Sequence, residues 1–173
     1  MKLDSKALHQ LTYGLYVVTA GDGEKRNGQV ANAVFQVTAT PPQVALSINK
    51  KNLTHEYLEK YGVFTVSVLS EETPMAFIGN FGFRCGRDFD KFEGVHWERG
   101  VTGAPVVLDN AVACIEGRIV GRFDCGTHTL FIGLVKAGKM LAGGNPMTYD
   151  HYHRVKGGKS PKRAPTYRGE GNG

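Results

Sequence analysis

Polar and apolar residues alternate over several short stretches of this chain, and β-branched and aromatic residues are frequent in them. Such alternation is typical of half-buried strands, whereas an amphipathic helix repeats its apolar positions every three or four residues. The alternation is clearest over residues 63–69, which are therefore predicted to form a half-buried strand. The other predicted strands cover residues 15–20, 30–37, 44–48, 106–108, 111–122 and 127–135. Many strands with short turns favour an antiparallel barrel, because closure leaves no exposed sheet edge.

Three short helices are expected between these strands. They run from Asp4 or Ser5 to Leu11, from Asn52 to near Gly62, and from Glu71 to Phe81. Asn52 can serve as the N-cap of the second helix, and Gly62 can end it. Proline is tolerated only in the first turn of a helix, which is where Pro74 falls in the third. The fold class predicted from these elements is mainly β with short helices.

An Asn-Gly pair at positions 27 and 28 follows a polar loop and predicts a hairpin turn that pairs residues 17–19 with residues 30–37. A run of small and amide residues lies just after this pair, namely Gln29, Val30, Ala31, Asn32 and Ala33. Small side chains allow a flat ligand to approach the backbone, and amides offer donors and acceptors to the edge of a ring. An ordinary half-buried strand has a similar composition, so the residues alone leave both interpretations open.

The chain has 173 residues, which is enough for one domain that can bury a cofactor in a stable core. No apolar stretch is long enough to span a bilayer, so a cytoplasmic protein without a membrane partner is expected. Cys85, Cys114 and Cys125 lack CxxC spacing, which predicts reduced thiols rather than a disulfide framework or a metal site. Cys125 and His128 have the spacing of two metal ligands, but no second pair accompanies them.

The formal net charge of +5 comes from the C-terminal end of the chain. Residues 154–170 contain six Lys or Arg residues and one acid, whereas residues 1–153 contain fifteen charges of each sign. A nucleic-acid-binding domain would carry its positive charge on the folded surface, so nucleic acid is not expected as a partner. The predicted organisation is a domain of residues 1–155 followed by a basic tail of residues 156–173. Glycine and proline residues in the tail favour an extended chain.

Four segments together resemble the flavin reductase-like family, an FMN-binding split-barrel family that includes flavoredoxin-type and high-molecular-weight-rubredoxin-type members. The segments cover residues 27–38, 49–57, 81–92 and 126–133, and the similarity runs from about residue 4 to residue 153. The resemblance implies a split β-barrel, a homodimer with the flavin at the subunit interface, FMN rather than FAD as cofactor, and NAD(P)H as substrate. No GxGxxG motif follows a strand, so the pyridine nucleotide is expected directly over the flavin in the same cleft.

The resemblance also assigns roles to individual residues. It places the FMN phosphate and ribityl chain against the loop of residues 29–33 and against a turn that contains Asn49, Lys50, Asn52 and Thr54. Backbone N–H groups at the start of a helix are well suited to an anion, and hydroxyl and amide groups add further donors. A capped helix with solvated lysines would have the same sequence, so that alternative stays open.

Lys91 matches the position where relatives present a basic residue to the flavin ring, although a lysine in a charged loop is ordinarily solvated. Phe81 and Arg87, in the same segment, are further binding candidates. His128 matches a Gly-x-His motif beside the flavin and is the predicted catalytic residue, which would orient the nicotinamide carboxamide or carry the N5 proton. A core histidine bonded to a carbonyl is the alternative.

The predicted function is that of an FMN-dependent oxidoreductase, which passes reducing equivalents from NAD(P)H to flavin or to a small redox partner such as rubredoxin. One alternative is a flavoredoxin-like electron carrier without NAD(P)H activity, and another is a flavin-binding module that is not an enzyme. The tail resembles the linker that leads into a Cys-rich iron module in rubredoxin-fused relatives. No such module follows it in this sequence, so a separate acceptor is expected.

Overall fold

The computed structural model describes residues 3–141 and 143–167. Its strands are β1 (Tyr16–Gly21), β2 (Arg26–Ala31), β3 (Val34–Ala39), β4 (Pro42–Asn49), β5 (Val63–Leu69), β6 (Trp97–Arg99), β7 (Pro105–Val107), β8 (Ala111–Cys125) and β9 (His128–Met140). Its helices are α1 (Ser5–Leu8), α2 (Leu53–Tyr61), α3 (Met75–Gly82) and α4 (Tyr149–Arg154). The predicted mainly β class with short helices is confirmed. None of the helices in the described residues is long and apolar enough to cross a membrane.

Seven strands form one antiparallel sheet in the order β2-β1-β5-β8-β9-β4-β3. The two edge strands, β2 and β3, are consecutive in the chain and are joined by only Asn32 and Ala33. Because so short a connection spans about 10 Å, the sheet must curl until its edges nearly meet. The predicted barrel is therefore present, with a split between β2 and β3 and with Asn32 at that split.

Strands β1 and β5 are buried on both faces. Val18 and Phe64 belong to a cluster that also contains Leu58 of α2. Val17, the neighbour of Val18, belongs to a second cluster with apolar residues of α3 and α4. Successive side chains of a strand point to opposite faces, so β1 carries a hydrophobic core on each side. The second cluster brings α3 and α4 to the face of the sheet where the candidate site lies.

The hairpin turn predicted at Asn27-Gly28 is wrong. The chain reverses earlier, over residues 22–25, where the Asp22 carboxylate accepts hydrogen bonds from the backbone N–H groups of Glu24 at 3.1 Å and Lys25 at 2.8 Å. Asn27 and Gly28 therefore lie inside β2, where they pair with Ala20 and Thr19. The predicted pairing of residues 17–19 with residues 30–37 is confirmed only at its start, where Val17 pairs with Val30. The second strand is interrupted at residues 32–33, and the residues beyond form β3, which pairs with β4 instead.

Strand β5 has the predicted bounds, yet it is buried on both faces rather than half-buried. Its polar positions are accommodated by β7, because the hydroxyl groups of Thr65 and Ser67 donate to the main-chain carbonyls of Pro105 and Val107 at 3.0 and 2.7 Å. Alternation in the sequence thus reflects two different buried environments. A hydroxyl that is paired with a carbonyl costs little to bury.

Helix boundaries differ from the prediction at two places. Helix α1 ends at Leu8, and the chain continues to Leu11 in turns closed by i to i+3 hydrogen bonds. Helix α3 begins at Met75 rather than at residue 71, with Pro74 as its N-cap. The preceding residues form a turn in which Thr73 bonds back to the Ser70 carbonyl at 2.6 Å. Helix α2 has the predicted ends, with Asn52 at its N-cap and Gly62 in the left-handed conformation after it.

Candidate functional site

A cavity of about 340 Å³ opens beside the split in the barrel. It is lined by residues of β2, α3, the first turn of α2, the start of β9 and the C-terminal tail. Leu15, Ile78 and Phe81 contribute buried apolar surface. The amide side chains in its wall are those of Asn27, Gln29, Asn32, Asn49 and Asn52. Ligand cavities in proteins span about 300–1,000 Å³, so this one is large enough for a single small ligand.

Side-chain amides tie β2 to the start of α2. The Asn52 amide nitrogen donates to Gln29 Oε1 at 3.0 Å, and the Asn27 amide nitrogen donates to Thr54 Oγ1 at 2.7 Å. Although Asn52 occupies the N-cap of α2, its side chain makes no capping hydrogen bond. The first turn of a helix has N–H groups without intrahelical partners, so α2 presents donors to the cavity.

The sheet register places Asn49 and His128 side by side, because the last residue of β4 pairs with the first residue of β9. Both side chains contact the main-chain carbonyl of Arg163, with distances of 3.3 Å from the Asn49 amide nitrogen and 3.1 Å from His128 Nε2. A carbonyl only accepts, so His128 Nε2 carries a hydrogen. The Thr127 hydroxyl lies 2.8 Å from Nδ1, where it can donate. These contacts select the Nε2–H tautomer of the neutral ring.

Lys91 is buried in the cavity wall, with 5% of its surface exposed. Its ammonium group donates to the main-chain carbonyls of Gly28 at 3.0 Å and Phe81 at 3.1 Å. Burial disfavours the charged form and lowers the Lys91 pKa to about 8. The solvated-lysine alternative is therefore wrong, because the loop after α3 folds this side chain inward between two backbone segments.

The C-terminal tail lies along the cavity. Two tyrosines of α4 hold the start of the tail: the Tyr152 hydroxyl donates to the Lys159 carbonyl at 2.9 Å, and the Tyr149 hydroxyl is hydrogen-bonded to Ser160. Further along, the Asn32 amide nitrogen donates to Thr166 Oγ1 at 2.7 Å. The tail is thus tied both to α4 and to the split in the barrel. The division between a domain of residues 1–155 and the tail remains a prediction, although the two parts share one cavity.

Positive charge dominates the cavity. Its cationic side chains are those of Lys51, Arg84, Lys91, Lys159, Lys162 and Arg163, and no Asp or Glu lines it among the described residues. None of these six forms an ion pair within residues 3–141 and 143–167, although cations elsewhere pair with acids, as Arg26 does with Asp90 at 2.9 Å. The Arg84 guanidinium lies over the Phe89 ring, 5.3 Å from its centroid, and the Lys91 ammonium donates to two carbonyls. Several cations without acidic partners near one cavity attract an anion, so the cavity favours an anionic ligand.

The structure brings most of the predicted site residues to the cavity wall. Those that line it are Gln29, Val30, Ala31, Asn32, Asn49, Asn52, Thr54, Phe81, Lys91 and His128. His128 lies at this wall rather than in the hydrophobic core, and the carbonyl it contacts belongs to the tail. Their roles in binding and catalysis remain predictions.

Three predicted residues are not brought to the cavity. Lys50 pairs with Asp124 at 2.7 Å and holds the pKa of that carboxyl below its ordinary value. Arg87 pairs with Glu56 on the outer side of α2 and lowers the pKa of that carboxyl in the same way. Ala33, in the connection between β2 and β3, accepts a backbone hydrogen bond from Ser47 of β4 at 3.0 Å, which holds it beside β4.

The sequence interpretation missed Asn27, Tyr149, Tyr152 and the cations of the tail. Asn27 was assigned to a turn because Asn-Gly is a common turn pair. One signal in the sequence could have predicted that the tail packs on the domain, namely the cluster of two tyrosines and two histidines in residues 149–153, shortly before the tail. Aromatic rings with hydroxyl groups require both an apolar surface and a hydrogen-bond partner, and the tail supplies both.

Comparison with known protein families shows which family this chain belongs to. Residues 8–158 match the flavin reductase like domain. The chain belongs to this family. The flavin reductase-like chain is 50% identical over 165 residues to the high molecular weight rubredoxin of Moorella thermoacetica, covering 95% of this chain and 72% of that one. It is 46% identical over 165 residues to the ferric-chelate reductase (NAD(P)H) of Archaeoglobus fulgidus, covering 95% and 98% of the two chains.

Solved structures show the same split-barrel fold. The NADH:FAD oxidoreductase of Streptomyces globisporus is 29% identical, with a TM-score of 0.75 over 84% of this chain and 86% of its own. The FMN-binding protein of Thermus thermophilus is 28% identical, with a TM-score of 0.70 over 76% and 74% of the two chains. Membership of the flavin reductase-like family and the amide-lined cavity with its basic residues both indicate a flavin as the class of ligand.

Proposed function

We propose that this protein is an NAD(P)H-dependent flavin oxidoreductase that binds FMN in the cavity beside the barrel split. The observation that carries the proposal is the set of six cations without acidic partners in a cavity that is also lined by amides. Relatives that act on flavin or NAD(P)H, among them the NAD(P)H ferric-chelate reductase, support it. A cavity of about 340 Å³ is near the lower limit for ligand sites, which favours FMN over the larger FAD.

The residues present fit a flavin mononucleotide. The apolar side chains of Leu15, Ile78 and Phe81 offer surface for a ring system, whereas the amides of Gln29 and Asn32 offer hydrogen bonds to its edge. The uncapped start of α2, with Lys51 beside it, offers charge-assisted donors to a phosphate. These residues separate an apolar region from an anion-binding region, as a phosphorylated ring requires.

Bound flavin supplies the two-electron chemistry that links oxidation of a pyridine nucleotide to reduction of an acceptor. In this proposal His128 presents its Nε2–H group to the carboxamide oxygen of the nicotinamide and so orients it. That requires the Arg163 carbonyl to release Nε2, which it contacts at 3.1 Å. The Lys91 ammonium contributes positive charge to the wall, where it stabilises negative charge on a bound group.

The acceptor and the assembly are also proposals. The 50% identity to a high molecular weight rubredoxin favours a small redox protein of the rubredoxin type, or free flavin, as the electron acceptor. A homodimer is supported by large apolar side chains that are exposed on the sheet, where Phe35 and Val37 of β3 are 57% and 46% exposed and Phe123 of β8 is 68% exposed. Such side chains on a sheet face favour contact with a second chain.

The proposed activity is tested by titrating the purified protein with FMN and then following NADH and NADPH oxidation by absorbance with FMN present. We expect FMN to bind and at least one nucleotide to be oxidised catalytically. If the protein binds FMN, oxidises neither nucleotide and accepts electrons from a reduced ferredoxin, it is an electron carrier instead. Binding of FMN with reduction by neither donor would leave only a flavin-binding module.

A further inference from the structure

The tail after α4 is packed as a wall of the cavity rather than as a loose linker. Gly158 lies so close to Tyr152 that a Cβ atom there would stand 2.2 Å from the ring. The Gly158 N–H donates to the Tyr152 carbonyl at 2.9 Å, and Thr166 accepts from Asn32 at 2.7 Å. The tail is held at both ends, so residues 159–165 keep a defined place at the mouth of the cavity.

Half of the cations that line the cavity come from this short segment. They are Lys159, Lys162 and Arg163, and each is exposed to solvent at the mouth. None of the three forms an ion pair within the described part of the chain. By contrast Arg154, which precedes the tail on α4, pairs with Asp150 at 2.8 Å. Three of the four Lys and Arg residues of segment 156–167 thus line the cavity without an ion pair in the described residues, and the fourth is Lys156.

Arg163 has the geometry of an anion ligand. Its two side-chain hydrogen bonds in the described residues both come from Nη1, at 3.1 Å to the Lys51 carbonyl and 3.3 Å to Asn52 Oδ1. A guanidinium carries five N–H donors in a planar fork that matches a phosphate. The bonds from Nη1 fix the fork beside the turn that precedes α2, and they leave the Nε and Nη2 donors for an incoming oxyanion.

We propose that the tail is a phosphate-recognition element, in which Arg163 binds a phosphoryl group of the bound nucleotide and Lys159 and Lys162 strengthen the field around it. This rests on the proposed function, because the phosphoryl group belongs either to the flavin or to the pyridine nucleotide. Part of the tail also aligns with a relative whose length is almost fully covered by the alignment. The alignment with the ferric-chelate reductase covers 95% of this chain, so it includes part of the tail, and it covers 98% of that protein.

The test compares Arg163→Gln with Lys156→Gln, which removes the same charge from a tail residue that does not line the cavity. Riboflavin is the matched ligand, because it has the flavin ring without the phosphate. We expect Arg163→Gln to weaken FMN binding by about ten- to a hundredfold, the range for hydrogen bonds between charged groups. Riboflavin affinity should stay within about twofold, and Lys156→Gln should bind both ligands like the parent.

Two further measurements assign the source of the phosphoryl group. If Arg163 binds the pyridine nucleotide, Arg163→Gln leaves FMN affinity unchanged and raises the dissociation constant of NADPH measured by fluorescence. Equal loss of FMN and riboflavin, or no change for any ligand that carries a phosphate, would overturn the proposal. Thermal stabilisation by inorganic pyrophosphate, present in the parent and reduced in Arg163→Gln, tests the anion site even if the parent binds no flavin. A parent that is stabilised by pyrophosphate but binds no flavin would contradict the proposed function and leave the anion site intact.

Discussion

Replacing Lys91 by Met removes a buried ammonium group and keeps an unbranched side chain of similar length. Lys91 is 5% exposed and donates to the carbonyls of Gly28 and Phe81, and no ion pair with an acid compensates its charge in the described residues. Its pKa in the folded protein is about 8. An unfolded chain returns the group to water, where a lysine pKa is about 10.4.

The difference between these pKa values makes stability depend on pH. Between pH 8 and 10.4 the unfolded chain keeps a proton that the folded chain has released, so raising the pH favours the folded state. Below pH 8 both states are protonated and the cost of burying the charge is fully present. A shift of roughly 2.4 units corresponds to about 3 kcal/mol, of which about 2 kcal/mol is recovered between pH 8 and pH 10.

The assay is urea denaturation of the flavin-free parent and of Lys91→Met at several pH values from 7.5 to 10. Cys85 interacts electrostatically with Lys91, so it is replaced by Ser in both proteins. The other groups that titrate in this range are common to both proteins, and their effects cancel in the difference. We expect the free energy of unfolding of the parent to rise by about 2 kcal/mol relative to that of Lys91→Met. Lys136→Met, which changes an exposed lysine of β9, should behave like the parent.

Parallel curves for the parent and Lys91→Met from pH 8 to pH 10 would refute the reasoning. They would mean that Lys91 keeps an ordinary pKa in the folded protein, and hence that water or an anion reaches its ammonium group. If the free energy of unfolding of the parent falls relative to that of the variant as the pH rises, the pH dependence has the opposite sign. It would require the folded state to bind the Lys91 proton more tightly than the unfolded chain does.

Two other changes test the site and the assembly. His128→Ala should leave bound FMN in place and slow NADH-driven flavin reduction by about ten- to a thousandfold, with dithionite reduction unchanged; stopped-flow rates equal to those of the parent would remove His128 from the mechanism. Phe35→Lys should convert a dimer into a monomer by light scattering, because it places a charge in the exposed apolar face of β3. A parent that is already monomeric would contradict the dimer.

Most strands and one helix were predictable because their signals are local. Residues 63–69 form β5 with the predicted bounds, and Gly62 ends α2 as expected. The hairpin is present, but the predicted position of its turn was wrong because two local signals competed: the Asp22 side chain closes the turn, and Asn27 lies in the following strand. The interruption at residues 32–33 depends on closure of the sheet, which no local pattern encodes.

The residues of the candidate site likewise fall into those that the sequence predicted and those whose positions depend on the folded structure. Gln29, Asn49 and His128, which line the cavity, were predictable from the family resemblance, because composition alone left their roles open. Lys50 and Lys51 are both lysines, but Lys50 pairs with Asp124, an acid 74 residues away in the chain, and therefore does not line the cavity. Lys91 shows the converse, since its burial depends on carbonyls of β2 and α3 that meet only in the folded protein. Charge in a sequence does not reveal its partners.

Arg163 joins parts of the site that are distant in the chain. Its guanidinium contacts the residues before α2, and its carbonyl contacts Asn49 and His128 on the neighbouring strands. These bonds are 3.1 to 3.3 Å long, so a displacement of the tail by one ångström would break them. A displacement of the Arg163 backbone would therefore alter the guanidinium contacts and release His128 Nε2 from the carbonyl together. The proposed phosphate recognition and the proposed contact of His128 with a nicotinamide thus both depend on the position of the Arg163 backbone.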